Sequence, residues 1–300
     1  MCGIAVIYSY KSPSEKVCNS ELIKIRDHMS NRGPDDAGLW VNKNIGMAHR
    51  RLSIVDISNH GHQPMETSDG KLRIVFNGEI YNYKKIRKDL EKKGYQFRTE
   101  SDTEVLLHLY KEKGQGLLSD LRGMYAFAIW DDEKQGLFIA RDPLGIKPLY
   151  YSDNGKSIRV ASQVKALISG GGIDKKRDSA GLVGFYLWGN IPEPYTIYEK
   201  IKALPAGTSL WVNQNGAHKR KFFSIADMFS QQLDITNQLS HEEMMYELSS
   251  ALSDSVNHHL IADVPVGVFL SAGLDSSTLT AHASKLSGRR LNTVTLGFSE

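Results

Sequence analysis

Residues 123–151 read GMYAFAIWDDEKQGLFIARDPLGIKPLYY. Three short apolar runs, Tyr125–Trp130, Leu137–Ala140 and Leu149–Tyr151, are separated by turn-forming residues, the pattern of consecutive strands rather than of a helix. Towards the N-terminus, Ile4–Tyr8, Gly38–Val41, Ile45–Ala48 and Leu72–Phe76 repeat it. Helical spacing interrupts the strands three times: at Leu22, Ile25 and Met29, at Ile86 and Leu90 ahead of Gly94, and over Thr103–Lys113. For the last of these, Asp102 is a candidate N-cap and Gly114 the stop. Many strands and few helices, without strict βαβ alternation, predict an α+β sandwich over residues 1–165.

Residues 166–239 are expected to complete this domain and end in a linker. Gly170–Gly172 is a candidate hinge, Ile191–Pro194 a turn, and the polar segment Gln231–Ser240 the linker itself. From His241 an amphipathic helix runs to about Leu260, followed by an apolar strand Val264–Leu270, a glycine-containing loop, a helix from about Ser276 and a strand Thr293–Gly297. That is a βαβ unit, the start of a doubly wound parallel sheet in residues 240–300. Two strands with one crossover leave both faces of such a sheet underfilled. The 300 residues are therefore expected to be the front of a longer chain or a natural truncation.

With 41% hydrophobic and 24% charged residues the composition is that of a soluble globular protein. A net charge of +3, from 37 basic and 34 acidic side chains, is too even to point to nucleic acid or a membrane surface. The basic run Lys84, Lys85, Arg87, Lys88, Lys92 and Lys93 alternates with acids as a solvated helix face would. No apolar run reaches the length of a membrane span and no signal-peptide pattern opens the chain, so a cytoplasmic location is expected. The histidine pairs His60/His62 and His258/His259 lack further ligands at metal-binding spacing.

Cys2 and Cys18 are the two cysteines, too few for a disulfide scaffold. Cys2 directly follows Met1. A small second residue favours removal of the initiator methionine, and the cysteine would then carry both a thiol and a free α-amine. An amine with a reference pKa of about 7.7–8.0 can take the proton of a neighbouring thiol as that thiol attacks. Alternatively, Cys2 is simply a small residue suited to methionine removal.

Seven strings stand in register over residues 1–151: MCGIAVIY, NRGPDDAG, AHRRLSIVD, FNGEIYN, SDTEVLLHLY, GMYAFAIWD and ARDPLGIKPLYY. With VGVFLSAGLDSSTL at 266–279, the chain resembles the glutamine-dependent asparagine synthetases, whose N-terminal part is a class II glutamine amidotransferase. The resemblance implies a four-layer αββα N-terminal nucleophile domain, followed by the start of an α/β doubly wound ATP-pyrophosphatase (PP-loop) domain. It implies Cys2 as nucleophile, with Asn77 and Gly78 as the oxyanion hole. It implies a glutamine pocket of Arg51, Ile54, Val55, Asn77, Gly78, Glu79 and Asp102, in which Arg51 meets the α-carboxylate and Asp102 the α-ammonium. Arg32, Gly33, Pro34 and Asp35 shape the loop beside the nucleophile. From the residues alone, Arg51 reads as a surface ion pair, Asn77-Gly78 as a hairpin turn and Asp102 as an N-cap.

For the second domain the resemblance implies ATP binding by Leu270, Ser271, Gly273, Asp275, Ser276, Leu296 and Gly297. No GK[ST] is present, so this is not a Walker loop. Mg²⁺ would come with the ATP, helped by Asp275, whose other reading is a helix N-cap; no prosthetic group is implied. Ala272 stands where relatives often have glycine, and a positive φ there would cost about 1–2 kcal/mol. The implied activity is that of an asparagine synthase (glutamine-hydrolysing): glutamine, ATP and aspartate are the substrates, and the assembly is a homodimer. Two rivals remain at this point: an amidotransferase for another carboxylate, as in surface-polysaccharide or secondary-metabolite pathways, and a truncated chain that is a glutaminase only or a non-catalytic module.

Overall fold

A computed structural model describes residues 1–236, 239–288 and 290–297. They fall into two compact units, residues 1–224 and 225–300. The first half of unit one runs β1 (Gly3–Tyr8), α1 (Asn19–Asp27), β2 (Asp36–Asn42), β3 (Ile45–Arg51), β4 (Met65–Glu66), β5 (Leu72–Ile80), α2 (Tyr83–Lys92) and α3 (Asp102–Lys113). It continues with β6 (Gly123–Asp131), β7 (Gly136–Arg141), β8 (Tyr150–Asp153), β9 (Ile158–Ala161), α4 (Val164–Gly170), α5 (Ser179–Trp188), β10 (Lys202–Ala203), β11 (Thr208–Asn213) and β12 (Gly216–Lys221).

The strands form two six-stranded sheets, ordered β10-β8-β9-β1-β3-β2 and β12-β11-β7-β6-β5-β4. Strand β1 shows why they stack. All six of its residues are buried, and alternate side chains serve different layers. Ile4, Val6 and Tyr8 meet Val75, Ala128, Trp130 and Ile139 between the sheets. Ala5 and Ile7 face the other way, into a cluster with Leu22 and Ile25 of α1 and Leu167 of α4. Helix α3 covers the far side of the second sheet, with Tyr110 stacked on Phe138 at a centroid distance of 5.7 Å. The layers are therefore helix, sheet, sheet, helix. Each fully buried aliphatic side chain contributes about 1.5–3 kcal/mol, so β1 is an anchored base for the residue just ahead of it, Cys2.

Some local expectations change. Strand β5 continues through Asn77 and Gly78, which pair with Ala126 and Tyr125, so the Asn-Gly pair is not a hairpin turn. Strand β6 offers a partner along the whole length of β5. A Cβ on Gly78 would lie 2.3 Å from the Met124 carbonyl oxygen, so close strand contact explains this glycine. The N-cap of α3 is Ser101, whose side chain accepts from the Thr103 N–H; Asp102 is already helical. On α2, Arg87 leaves the solvated face to cover the Phe97 ring and pair with Glu91 and Glu100.

Unit two contains α6 (Ile225–Thr236), α7 (His241–His259), β13 (Gly267–Phe269), α8 (Leu274–Ser287) and β14 (Asn292–Val294). Within the expected linker Gln231–Ser240, the residues up to Thr236 are helical, and Asn237 and Gln238 lie outside the described residues. Helix α7 opens with a capping box of Ser240 and Glu243. Strands β13 and β14 pair in parallel, joined through α8 as the βαβ pattern requires. Pro265 lacks the N–H needed to extend β13 to Val264. Among the described residues no helix is long and apolar enough to cross a membrane.

Candidate active site

One cavity of about 170 Å³ in unit one is lined by all eight residues that the motifs single out for glutamine: Cys2, Arg51, Ile54, Val55, Asn77, Gly78, Glu79 and Asp102. They come from the residue ahead of β1, the end of β3 and its following loop, the C-terminal half of β5, and the first turn of α3.

The Cys2 sulfur sits against one peptide unit. It accepts from the Leu52 N–H at 3.4 Å and lies 3.6 Å from the Leu52 carbonyl. Arg32 Nε donates to the Cys2 carbonyl at 3.0 Å and fixes the residue's backbone. Burial pushes the thiol above its usual range, opposed by the Leu52 N–H and by nearby positive charge. Burial also lowers the terminal amine of Met1. A thiol whose proton is held more tightly by burial, beside an amine that burial makes readier to stay neutral, points to that amine, or one in its position, as the group that takes the proton during attack.

Arg51 is not a surface ion pair. It is buried and its guanidinium donates to the carbonyls of Ser58 at 2.8 Å, Val55 at 3.4 Å and Asp56. These bonds wrap the 52–58 loop around the planar fork, which brings Ile54 and Val55 to the cavity. The Asp56 carboxylate completes the loop by accepting from the Ser58 and Glu100 N–H groups.

In an antiparallel ladder, successive residues point their N–H and C=O to opposite neighbours. The Ile80 N–H of β5 points away from β6, to Asp102 Oδ2 at 3.0 Å. Gly78, two residues earlier, has the same phase and presents its N–H to the side on which the cavity opens. Asn77 shares the face of Val75, which packs between the sheets towards β1. Its amide nitrogen is buried and has no hydrogen-bond partner among the described residues. Two donors, one backbone and one side chain, thus stand on adjacent residues beside a thiol.

The Asp102 carboxyl is buried without an ion-pair partner among the described residues, and burial raises it from 3.8 to about 7, with Glu79 adding to the rise and the Ile80 N–H opposing it. An incoming ammonium would relieve this cost.

Sequence reasoning missed Gln63, Thr103 and Lys147, which also line the cavity. The one signal for Lys147 is its place in ARDPLGIKPLYY. The Asp142 carboxylate accepts from the N–H groups of Leu144, Ile146 and Lys147, folding the turn that brings the lysine in. Burial lowers the Lys147 ammonium, opposed by Glu79 and Cys2.

In unit two, Leu270 directly follows β13, with its N–H bonded to the Val294 carbonyl of β14 at 2.9 Å. Leu296 and Gly297 follow β14 at the same end of this parallel pair. Ser271 and Gly273 lie in the turn into α8 and Asp275 and Ser276 in its first turn, the two joined by a 2.9 Å contact between the Ser271 and Ser276 hydroxyls. The N-cap of α8 is Gly273, so Asp275 is a first-turn residue rather than the cap. Among the described residues the non-glycine positive-φ positions are Lys43, Asp56 and Gln135, so Ala272 carries no such strain.

The chain is similar to known proteins along its length. The glutamine amidotransferase domain family matches residues 1–223 and the asparagine synthase family matches residues 247–300. Asparagine synthetase [glutamine-hydrolyzing] 1 of Bacillus subtilis is 37% identical over 100% of this chain and 46% of its own length. Asparagine synthetase B [glutamine-hydrolyzing] of Escherichia coli is 37% identical over 97% of this chain and 46% of its own. The chain thus spans about half the length of these curated relatives. Glutamine phosphoribosylpyrophosphate amidotransferase of B. subtilis, solved with ADP and GMP, shares the fold at a TM-score of 0.54 and 19% identity, over 98% of this chain and 65% of that one. The family match over residues 1–223 and the helix-sheet-sheet-helix layering lead to one assignment: the chain belongs to the glutamine amidotransferase domain family.

Proposed function

We propose that unit one hydrolyses glutamine to glutamate and ammonia at Cys2. In the full-length protein the ammonia would serve ATP-dependent conversion of aspartate to asparagine, with release of AMP and pyrophosphate. The observation that carries the first half is the meeting, in one cavity, of a thiol, an uncompensated carboxyl and an unpartnered amide N–H. Glutamine offers an electrophilic carboxamide, an ammonium and a carbonyl oxygen to match them.

In this reading Met1 is removed and the Cys2 amine takes the thiol proton. Sulfur attacks the carboxamide carbon, and the charge growing on oxygen is met by the Asn77 amide and the Gly78 N–H. The proton passes to the leaving nitrogen, ammonia departs and a γ-glutamyl thioester remains. Water then attacks the thioester and releases glutamate. Asp102 holds the α-ammonium and Arg51 the α-carboxylate; Ile54, Val55 and Glu79 complete the pocket. Oxyanion donors act on the transition state more than on bound substrate. Asn77→Ala should therefore lower kcat by about 10²–10³-fold while KM changes little; a rise in KM at unchanged kcat would remove this role.

The decisive test is whether the 300-residue chain releases glutamate from glutamine. N-terminal mass reports whether Met1 has gone, and retention in an active preparation would end the amine-base mechanism.

The ATP half rests on the asparagine synthase match and on small residues at a helix N-terminus, a geometry that suits phosphate. Leu270, Leu296 and Gly297 would flank the nucleotide; Ser271, Gly273 and Ser276 would meet its phosphates. Mg²⁺ would arrive on the phosphates, near Asp275. Aspartate as acceptor, and a homodimer, rest on the likeness to asparagine synthetases. Aspartate-dependent AMP release by the full-length protein, compared with other carboxylates, tests the acceptor.

A further inference from the structure

Strand β4 pairs with β5 at Arg73 and Ile74 and then leaves it. From Phe76 onward the outward N–H and C=O groups of β5 lack a strand partner on that side among the described residues. Side chains stand in for the strand. The Phe76 N–H donates to Gln63 Oε1 at 2.7 Å, and the Phe76 carbonyl pairs with His49 Nε2 at 3.0 Å. Gln63 also donates from Nε2 to Thr103 Oγ1 at 3.3 Å, in the first turn of α3 beside Asp102. Two residues further along β5 from Gly78, Asp102 takes the Ile80 N–H. Gly78 lies between these two tied positions and opens on the cavity.

The protonation of His49 follows from its partner. A carbonyl only accepts, so Nε2 carries the hydrogen and Nδ1 bears a lone pair. That Nδ1 is buried and has no partner among the described residues. An unsatisfied interior acceptor lowers stability, and an apolar side chain at this core position would avoid the penalty. Burial holds His49 down at about 4, so the ring is neutral near pH 7 and acts as a fixed donor.

We propose that His49 and Gln63 are positioning residues for glutamine hydrolysis. They hold both the N–H and the C=O of Phe76 on the open edge of β5, so that the Asn77 amide and the Gly78 N–H, next along the strand, stand where the oxyanion forms. The inference rests on the glutaminase reading above. Displacing such donors by a fraction of an ångström weakens the transition state while leaving the ammonium and carboxylate contacts of bound glutamine intact.

The test compares His49→Leu, which removes the donor, with His49→Gln, which keeps a side-chain N–H, and with Gln63→Met. In folded His49→Leu, kcat should fall by about 10- to 100-fold with KM for glutamine within about twofold. His49→Gln should recover most of the loss. Glutamate γ-semialdehyde adds the Cys2 thiol across its carbonyl, the thiol proton passing to oxygen, and so places an oxygen at the oxyanion position. Its inhibition should weaken by the same factor as kcat, while glutamate binds as before. A kcat within about threefold of the parent, or equal losses for the aldehyde and glutamate, overturns the proposal. Should His49→Leu fail to fold, Gln63→Met is read by the same criteria. A parent chain that releases no glutamate removes the glutaminase reading itself; an active parent with unaffected variants removes only the clamp.

Discussion

Replacing Cys2 by alanine is expected to abolish glutamine hydrolysis, lowering the rate by at least about 10⁴-fold, as loss of a covalent nucleophile does elsewhere. The fold should be indifferent to the change. Cys2 precedes β1, whose layers are filled by Ile4 to Tyr8, and the hydrogen-bond contacts of its sulfur are the long ones to Leu52 among the described residues. The variant should therefore melt within a degree or two of the parent and keep its affinity for glutamate, because the Arg51 and Asp102 contacts remain. An electrophilic glutamine analogue should label the parent at Cys2 and leave the variant unmarked. Measurable hydrolysis by a clean Cys2→Ala preparation would dismiss the thioester mechanism.

Asp102→Asn should have two large effects of opposite sign. Folding raises this carboxyl from 3.8 to about 7, so the unfolded chain ionises first. The stability gained by holding the proton is whole below about pH 4. It is lost as pH rises through the interval up to about 7, beyond which the buried charge is a constant penalty. A tenfold change in proton affinity is worth about 1.4 kcal/mol, so the neutral amide should be more stable than the carboxylate by a few kcal/mol at pH 8 and by little at pH 4. In the same variant KM for glutamine should rise by about 100-fold or more, since a substrate ammonium loses its buried partner. Melting curves and initial rates at pH 4 and pH 8 decide the matter. A stability gap that does not change with pH, or an unaltered KM, would count against the role given to Asp102.

Much of this architecture was legible in the chain. The apolar runs around Tyr125–Trp130 and Leu137–Ala140 became β6 and β7 with margins of one or two residues, because alternation and turn residues act locally. The motif residues for glutamine also came together in one cavity. What stayed illegible depended on distant partners. Asn77-Gly78 carries a strong local turn signal, yet β6, more than forty positions along the chain, holds it extended. Asp102 looks like a cap, but Ser101 takes that role and frees the carboxyl for Ile80. Gln63 lies in none of the motif strings, and His49 stands in AHRRLSIVD with nothing local to give it a role; their partner Phe76 lies 13 and 27 residues away. Lys147 is one lysine among many until Asp142 gathers three amides and turns it inward.

The burial of β1 on both faces has a consequence for how the protein would answer a ligand. Its amides should exchange with solvent only when the whole unit opens, whether or not glutamine is present. The segment from Leu52 to Ser58, held mainly by the Arg51 guanidinium and the Asp56 carboxylate, is expected to open by itself. Deuterium uptake on adding a tight glutamine analogue should therefore slow in that segment and stay level in β1, marking the pocket wall as the part that adapts and the nucleophile as the part that waits.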